Sequence, residues 1–342
     1  MRSIKVKLMK VLITGTGMHV PENIVTNEEL AARLAIEPEH IFKSSGIRRR
    51  RWVLPGTTTS LLASAALKLA LEDAEIAPED IDYLLFGTMT PDRYIPGSAP
   101  TIQQTVGLRA IPCLDIRAAC CNVLYGLQLA SALVIAGVAR NVALCLADVQ
   151  SAWLNLSPAA GTIPMLFGDG ASALIVSAEG KKNALQLIDV MLATDGAYVD
   201  HLGIRRPGTE FGSSHTPGVV ALTEDYGARM ADRSVLTHAA RKMVAASKAV
   251  LQRNKLSTNE VRWIVPHQAN ANLISLVARQ LNFNNNSEGL ISVLEDYGNT
   301  SSASMGIALD SLRRSGRIKT GDFLLLPAFG AGFTWGAGLC RA

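Results

Sequence analysis

The chain has 342 residues, of which 48% are hydrophobic and 18% are charged, and its formal net charge is +4. This apolar content and low net charge exclude an intrinsically disordered protein, and the length suffices for one large domain or two fused halves. Aromatic residues are only 5%, and the basic residues form one dense run, Arg48–Arg51. Nucleic-acid-binding proteins usually combine a broader basic surface with aromatic side chains, so we predict no nucleic-acid partner.

The N-terminal residues and the cysteines predict a cytoplasmic protein. Residues 1–10 include four basic side chains, but no continuous apolar run with a cleavage site follows them. The most apolar later segment, Ala132–Val149, is interrupted by charged residues and is too short to cross about 30 Å of hydrocarbon. The five cysteines are an odd number without a Cys-x-x-Cys pair, which predicts neither disulfides nor zinc. We therefore expect no membrane contact and no metal.

The first half of the chain predicts alternating strands and helices. A strand at Val11–Ile13 comes first, and a capping box at Thr26–Glu29 then opens a short helix. The following predictions are, in chain order, a helix at Ser60–Glu75, a strand at Tyr83–Phe86, a helix at Ala99–Val106, a strand at Cys113–Ile116, a helix at Cys121–Val138 and strands at Val142–Ala147 and Ala173–Val176. This order indicates a largely parallel sheet covered by helices.

The second half repeats this order. The predictions are a helix at Ser234–Gln252, a strand at Val261–Val265, a helix at Ala271–Leu281, a strand at Ile291–Leu294, a helix at Ser302–Arg314 and a strand at Phe323–Leu326. Leu85 to Cys120 spans 35 positions and Val265 to Asn299 spans 34. We interpret this as a duplication with halves at residues 1–179 and 180–342, and two unrelated α/β halves are the alternative. Residues 195–226 have the composition of an inserted loop or lid.

Three side chains follow predicted strands. Cys120 comes after the strand Cys113–Ile116 and opens a helix, whose dipole stabilises a thiolate. The neighbouring Cys121 would point about 100° away, and a single cysteine is more often a small buried hydrophobe. His267 and Asn299 follow the second-half strands; alone, they suit a structural histidine and a helix cap. The functional interpretation rests on the three together, which a duplication would bring to one face.

A thiolate beside two neutral hydrogen-bond donors suits acyl transfer. The cysteine accepts an acyl group from a thioester, and the two donors stabilise the enolate that decarboxylation of a second thioester generates. A Cys–His hydrolase is the competing chemistry, with the histidine as base. The Gly-rich segments Phe167–Ser172 and Phe329–Gly336 fit either an oxyanion-binding backbone or tight turns. Neither matches a nucleotide-phosphate loop.

With these motifs the chain resembles the type III β-ketoacyl-acyl carrier protein synthases of the thiolase superfamily. The matching motifs are Gly46-Ile47-Arg48, Ala118-Ala119-Cys120, Phe167-Gly168-Asp169-Gly170-Ala171, His267-Gln268-Ala269-Asn270, Gly298-Asn299-Thr300-Ser301 and Phe329–Gly336. The resemblance implies an α/β, thiolase-like duplicated fold in five αβαβα layers and a homodimer. It also implies that acyl-CoA or acyl-carrier-protein thioesters are the substrates, with no cofactor and no metal.

The resemblance implies a role for each site residue. Cys120 corresponds to the acylated nucleophile, and His267 and Asn299 correspond to the pair that promotes decarboxylation. The oxyanion-binding N–H groups correspond to those of Cys120 and Ala331, where Ala331 replaces a glycine but keeps its N–H. Three further residues correspond to substrate contacts: Ile95 (at a position, often Phe, that reaches the partner subunit's acyl pocket), Asn270 and Phe329.

Several positions depart from the family pattern. The usual Gly-Phe pair beyond the nucleophile is Asn122-Val123. The adenine-clamping Trp and Arg of acyl-CoA-using members are matched by His40 and Ala160, and a nearby nucleotide-binding Arg is matched by Ser44. These replacements argue against ordinary CoA recognition.

Other segments bear on the partner and the pathway. Asn272 replaces an arginine that helps to dock the carrier protein. Asp115–Arg117 and Leu124–Gln128 are similar to the branch that loads anthranilate in quinolone signal synthesis, which favours secondary metabolism over fatty-acid initiation. The run Arg48–Arg51 suits either contact with an acidic carrier protein or a solvated loop.

Three hypotheses follow from the sequence. The leading one is an acyltransferase that loads an acyl group on Cys120 and joins it to a malonyl thioester by decarboxylative condensation. The alternative is acyl transfer to an amine, alcohol or thiol without decarboxylation, which the altered Asn122-Val123 pair motivates. The third is a non-catalytic partner subunit, which the presence of Cys120 disfavours.

Overall fold

The computed structural model describes residues 10–158, 161, 163–180, 183–204, 229–230, 234–283 and 287–342. Within these ranges the chain forms a nine-stranded mixed sheet with helices packed on it, and two small two-stranded sheets. No helix of these ranges combines the length and the apolar run that crossing a bilayer requires.

The first half follows the predicted order of elements. Its elements are β1 (Val11–His19), β2 (Ile24–Thr26), α1 (Asn27–Leu34), α2 (Pro38–Ser45), β3 (Arg49–Arg51), α3 (Thr59–Ala74), β4 (Tyr83–Gly87), α4 (Ala99–Val106), β5 (Cys113–Ile116), α5 (Asn122–Ile135), β6 (Asn141–Asp148) and β7 (Gly170–Ser177). The predicted capping box is present, because the Thr26 hydroxyl accepts from the Glu29 N–H and the Glu29 carboxylate accepts from the Thr26 N–H.

The second half differs from the prediction at one strand. Its elements are β8 (Leu185–Thr194), β9 (Leu202–Gly203), β10 (Arg229–Met230), α6 (Ser234–Arg253), β11 (Val261–Ile264), α7 (Ala271–Gln280), α8 (Leu294–Tyr297), α9 (Ser304–Arg314), β12 (Phe323–Gly330) and β13 (Thr334–Arg341). The predicted strand at Ile291–Leu294 is wrong: Leu290 makes a single bridge to Ile264, and helix α8 begins at Leu294. Acidic residues favour a helix N-terminus, and two of them stand in the first turn of α8. Of the predicted loop, residues 205–226 lie outside the described residues.

The strand order repeats between the halves. The order β5-β4-β6-β7-β1 in the first half matches the order of the Leu290 bridge, β11, β12, β13 and β8 in the second. In each half the first two pairings are parallel and the last two are antiparallel. Three residue pairs between β1 and β8 join the halves into one sheet.

The prediction of a largely parallel sheet is wrong, because antiparallel pairs predominate. Parallel neighbours need a crossover connection, usually a helix. The links from β6 to β7 and from β12 to β13 contain no α-helix among their described residues. Strands joined in this way return beside their predecessors in the opposite direction.

Three hydrophobic clusters divide the molecule into five layers. Helices α3 and α4 cover the outer face of the first-half strands, and α6 and α7 cover the outer face of the second-half strands. Helices α5 and α9 lie between the two sets of strands in a shared central core. Successive residues of β4 show this arrangement, since Leu85 joins the central core while Leu84 and Phe86 join the outer cluster. The predicted αβαβα layering is therefore observed.

Candidate active site

Cys120 lies in a tight turn between β5 and α5. Residues Ala119–Cys121 form one 3₁₀ turn, and helix α5 begins only at Asn122. Ala119 has a φ of 50°, a left-handed conformation that costs a non-glycine residue about 1–3 kcal/mol. A side chain on Gly330, at the end of β12, would place its Cβ 2.9 Å from the Cys120 nitrogen. The second half of the chain thus approaches the Cys120 backbone so closely that only glycine fits.

Residue Cys120 is half-buried, and its sulfur contacts the second half of the chain. Its Sγ atom lies 3.6 Å from the Oγ atom of Ser301. Burial raises the pKa of Cys120 to about 11; the Ser301 hydrogen bond lowers it and the Asp148 carboxylate raises it further. The resting sulfur is therefore a neutral thiol near pH 7. The expectation of a helix-stabilised thiolate is not met in the resting site, because burial disfavours the charged form of the thiol.

His267 follows β11 and is almost fully buried, with 2% of its surface exposed. Its backbone N–H donates to the Pro327 carbonyl at 3.0 Å, which continues the pairing of β11 with β12. Its Nδ1 atom lies 2.7 Å from the Oγ atom of Ser304. Burial lowers the pKa of His267 to about 4, so its imidazole is neutral near pH 7. A neutral imidazole donates one hydrogen bond and accepts one.

The backbone of Asn299 is held by the first Gly-rich segment. Its N–H donates to the Leu166 carbonyl at 2.8 Å, and its carbonyl accepts from the Gly168 N–H at 3.1 Å. A Cβ at Gly168 would lie 2.1 Å from the Tyr297 carbonyl oxygen, so this approach requires glycine. The Asn299 Oδ1 atom accepts from the Ser301 N–H at 2.9 Å, which leaves the Nδ2 group as the donor. The segment around Phe167 therefore fixes the backbone position of Asn299 through these hydrogen bonds.

One segment, Asn299–Ser304, connects the three predicted site residues. Asn299 begins it, its Ser301 hydroxyl contacts Cys120, and its Ser304 hydroxyl contacts His267. Ser301 has a φ of 48°, a second left-handed non-glycine conformation at the site. Strained backbone of this kind concentrates where function fixes a side chain. The arrangement offers a thiol, an imidazole and a carboxamide around one short loop, as acyl-thioester chemistry requires.

Comparison with known proteins agrees with this geometry. The model of the family described as 3-oxoacyl-[acyl-carrier-protein] synthase III matches residues 114–196, and the model of its C-terminal part matches residues 251–342. A β-ketoacyl-[acyl-carrier-protein] synthase III from Chlamydia caviae is 36% identical over 335 residues, which cover 98% of each chain. The chain belongs to the 3-oxoacyl-[acyl-carrier-protein] synthase III family. The predicted family and its acyltransferase class are confirmed.

Solved structures of 3-oxoacyl-[acyl-carrier-protein] synthase III relatives share the fold. The enzyme from Aquifex aeolicus superposes with a TM-score of 0.87 at 30% identity, covering 97% of this chain and all of the other. The priming β-ketosynthase of the R1128 polyketide biosynthetic pathway superposes with a TM-score of 0.85 at 29% identity, covering 97% of this chain and 95% of the other. The predicted thiolase-like fold is confirmed.

Within this family fold, the sequence interpretation missed a polar network beneath Cys120. The Asn122 side chain accepts from the Ala118 N–H at 2.6 Å and donates to the Ser302 hydroxyl at 2.9 Å. The Ser302 N–H donates to the buried Asp148 carboxylate at 2.9 Å, and that carboxylate also accepts from Met89. Asn122 is noticeable in the sequence as a departure from the 3-oxoacyl synthase III pattern, but its partner lies 180 residues away.

The residues predicted to bind the oxyanion and the substrate differ from one another in burial and in hydrogen bonding. Ala331 is half-buried in the turn after β12, and Phe329 is buried against Phe333 with 4.8 Å between ring centroids. Asn270 caps α7 through Oδ1 and donates through Nδ2 to the Ser44 carbonyl, so its amide is occupied structurally. Ile95 is 79% exposed on the single chain.

The positions matched to nucleotide binding are only partly described. His40 is exposed, and Ser44 donates its hydroxyl to the His40 carbonyl within helix α2. Ala160 lies outside the described residues. Among the residues that the structure does describe, no three His, Cys, Asp or Glu side chains are grouped so as to hold a metal ion.

Three of the four arginines of the run form strand β3, so the run is not a solvated loop; contact with an acidic carrier protein stays a prediction. Arg48 and Arg49 pair with Glu295 and Asp296 of α8. Arg50 is fully buried; three buried oxygens accept from it: those of the Val25 carbonyl, the Asn27 side chain and the Met165 carbonyl. These ion pairs therefore join the first half of the chain to helix α8, which ends two residues before Asn299.

Proposed function

We propose that the chain forms an acyl thioester on Cys120 and condenses it with a malonyl thioester by decarboxylation. The observation that supports this best is the Asn299–Ser304 segment, which contacts Cys120 and His267 and carries Asn299 itself. Family membership supplies the reaction class, and the local geometry supports the roles proposed for the individual residues.

In the first half-reaction the Cys120 sulfur attacks the carbonyl carbon of an acyl thioester. The C–S bond of the donor breaks, and the departing thiolate takes up the proton that the thiol gives up. One thioester replaces another, so the exchange is nearly balanced in free energy. The raised pKa of Cys120 makes the thiolate a strong nucleophile once formed.

In the second half-reaction a malonyl thioester loses carbon dioxide. The electron pair of the broken C–C bond moves onto the thioester oxygen as an enolate. His267 and the Nδ2 group of Asn299 donate hydrogen bonds to that oxygen. The low pKa of His267 keeps it a neutral donor in the resting site.

The enolate carbon then attacks the acyl group on Cys120. The tetrahedral oxyanion accepts from the backbone N–H groups of Cys120 and Ala331. The close approach of Gly330, the residue before Ala331, to the Cys120 nitrogen supports this assignment. Collapse of this intermediate expels the Cys120 thiolate, which regains a proton from solvent. The product is a β-ketoacyl thioester that retains two of the three malonyl carbons.

The proposed partners are acyl carrier protein and acyl-CoA thioesters, which carry the acyl donor and the malonyl group. The proposed assembly is a homodimer. An exposed apolar surface at the β5 edge supports the dimer: Leu114 is 44%, Tyr94 is 65% and Ile95 is 79% exposed. Pairing of two β5 edges would satisfy their free backbone groups and bring Ile95 toward the partner. A monomer mass by light scattering at micromolar concentration would contradict this assembly.

The proposal also divides the chain into halves at residues 1–179 and 180–342, and the repeated strand order supports that division. The boundary lies between β7 and β8, and limited proteolysis followed by mass spectrometry tests it. Cytoplasmic localisation remains a prediction from the cysteine pattern.

The decisive experiment follows acyl adducts and carbon dioxide separately. Intact-mass spectrometry of the purified chain with a panel of acyl-CoA and acyl-carrier donors should show one adduct, which Cys120→Ala abolishes. Cys121→Ala is the matched control, because that buried thiol contacts the Thr334 carbonyl, and it should keep the adduct. Carbon dioxide release from malonyl-carrier protein should require Asn299; full release by Asn299→Ala would contradict its role. A product that keeps every donor carbon without carbon dioxide release would instead establish simple acyl transfer.

A further inference from the structure

The role proposed for His267 depends on which ring nitrogen carries the proton. A neutral imidazole has one N–H, on either Nδ1 or Nε2. Its Nδ1 atom faces Ser304 at 2.7 Å, so only Nε2 remains to donate toward a substrate carbonyl. If Nδ1 held the proton, Nε2 would present a lone pair to the enolate oxygen and repel it.

The contacts of the Ser304 hydroxyl decide between the two tautomers. The Ser304 side chain is buried, with 1% exposed. Its Oγ atom accepts from the Gln268 N–H at 3.3 Å and has His267 Nδ1 as its other partner. Its single hydrogen is satisfied among the described residues only by donating to Nδ1. The opposite tautomer would leave that hydrogen buried without an acceptor, at a cost comparable to a lost hydrogen bond.

The surroundings hold the hydroxyl in place. Gln268 is fully buried; its Nε2 atom donates to the Pro266 carbonyl at 2.7 Å and its Oε1 atom accepts from the Val293 N–H at 3.0 Å. Ser304 is the first residue of α9, whose next turns pack in the central core. Gln268 and the helix that begins at Ser304 are therefore fixed by contacts away from the substrate.

We propose that Ser304 is a positioning residue that fixes His267 as the Nε2–H tautomer and aims this N–H at the malonyl thioester. The proposal rests on the function proposed above. Ser304 acts through His267 and touches neither substrate nor Cys120. Its loss should therefore slow decarboxylation while it leaves the acylation of Cys120 nearly intact.

Nitrogen-15 NMR of histidine-labelled protein tests the tautomer directly. The chain has six histidines, and His267→Gln identifies the relevant signals. The wild-type protein should show an unprotonated Nδ1 and a protonated Nε2. A wild-type Nδ1–H signal would overturn the proposal whatever the activity of any variant.

Kinetics of variants supply the second readout. Ser304→Ala should lower the rate of malonyl decarboxylation by about tenfold to a hundredfold, by analogy with lost partners of metal-bound histidines. Its rate of Cys120 acylation should change by less than about threefold, since that step uses no His267 N–H. Ser304→Thr restores the hydroxyl and should recover both the rate and the NMR pattern.

Ser247→Ala is the matched control, because Ser247 is also fully buried and its hydroxyl has no partner among the described residues. It should decarboxylate at the wild-type rate. Wild-type decarboxylation by folded Ser304→Ala would overturn the proposal. If wild-type protein shows the Nε2–H tautomer yet forms no acyl adduct and releases no carbon dioxide, the proposed function fails while the tautomer assignment stands.

Discussion

The polar network beneath Cys120 leads to a quantitative prediction for Asn122→Ala. The substitution removes two hydrogen bonds, one from the Ala118 N–H at 2.6 Å and one to the Ser302 hydroxyl at 2.9 Å. Each such bond contributes about 1 kcal/mol net, and a buried donor left without an acceptor costs about 1–3 kcal/mol. Because Asn122 is fully buried, water does not replace it. We expect the free energy of unfolding to fall by about 2–4 kcal/mol.

The same variant should impair acylation. Ala118 lies two residues before Cys120, so its N–H anchors the turn that carries the proposed nucleophile and the proposed oxyanion donor. If about 1.4 kcal/mol of the lost stabilisation is specific to the transition state, acylation slows about tenfold. Urea unfolding at one fixed protein concentration measures stability, and stopped intact-mass time courses measure acylation.

Asn254→Ala provides the comparison. Asn254 lies beyond the end of α6 and donates through Nδ2 to Asp189 at 2.7 Å and to the Val250 carbonyl at 2.8 Å. Its loss removes as many hydrogen bonds but does not touch the Cys120 turn, so acylation should keep its wild-type rate. The reasoning is refuted if Asn122→Ala stays within about 0.5 kcal/mol of wild type, the range of ordinary surface changes. It is equally refuted if both variants acylate at the same rate.

Three further predictions concern the thiol, the imidazole and the arginine strand. Ser301→Ala removes the hydrogen bond that lowers the pKa of Cys120, so alkylation by iodoacetamide at pH 8 should slow by about two- to fivefold, and an equal or faster rate contradicts the assigned contact. Because the pKa of His267 is lowered to about 4, the unfolded chain binds this proton first as pH falls, and the stability from His267 is lost below about pH 6.5. Relative to His267→Gln, the wild-type protein should therefore lose about 2 kcal/mol of unfolding free energy between pH 7 and pH 5 in urea titrations, and parallel pH profiles would disprove this. Burial raises the pKa of Asp169 to about 6, which gives the opposite pH trend, but both proteins contain Asp169 and its effect cancels in the comparison. Arg49→Glu places like charges beside Asp296 and should cost about 1 kcal/mol or less of unfolding free energy while carrier-protein affinity changes by less than about twofold; a larger affinity loss would make the arginine run a docking surface after all.

Local sequence patterns were sufficient to predict most of the elements and to select three candidate site residues. The periodicity of apolar residues predicted α3, α5 and α6 to within a few residues at their ends. Cys120, His267 and Asn299 were selected together. His267 directly follows an apolar run, and Cys120 and Asn299 have similar spacings from the preceding strands Tyr83–Phe86 and Val261–Val265. The similar spacings in the two halves predicted a duplication, and the repeated strand order of the sheet agrees with it.

The direction of the strands and the supports of the site depended on contacts between distant residues. Whether β7 and β13 run parallel or antiparallel to their neighbours follows from how the connections return, which apolar runs do not encode. Where a strand was predicted at Ile291–Leu294, helix α8 begins at Leu294, and its acidic residues pair with Arg48 and Arg49, 247 positions away. Local propensity cannot anticipate such pairing.

The sequence by itself predicted the thiolase-like class of the fold, through its resemblance to the type III synthases, and selected a thiol, an imidazole and a carboxamide as candidate site groups, because residue types and motifs are local properties of the chain. Only the tertiary structure decided that Ser301, Ser302 and Ser304 contact Cys120, Asn122 and His267 in turn. A serine has no local signature of its partner, since these hydrogen bonds form only when distant segments of the chain pack together. The protonation states were decided in the same way, because burial in the assembled core raises the pKa of Cys120 and lowers that of His267.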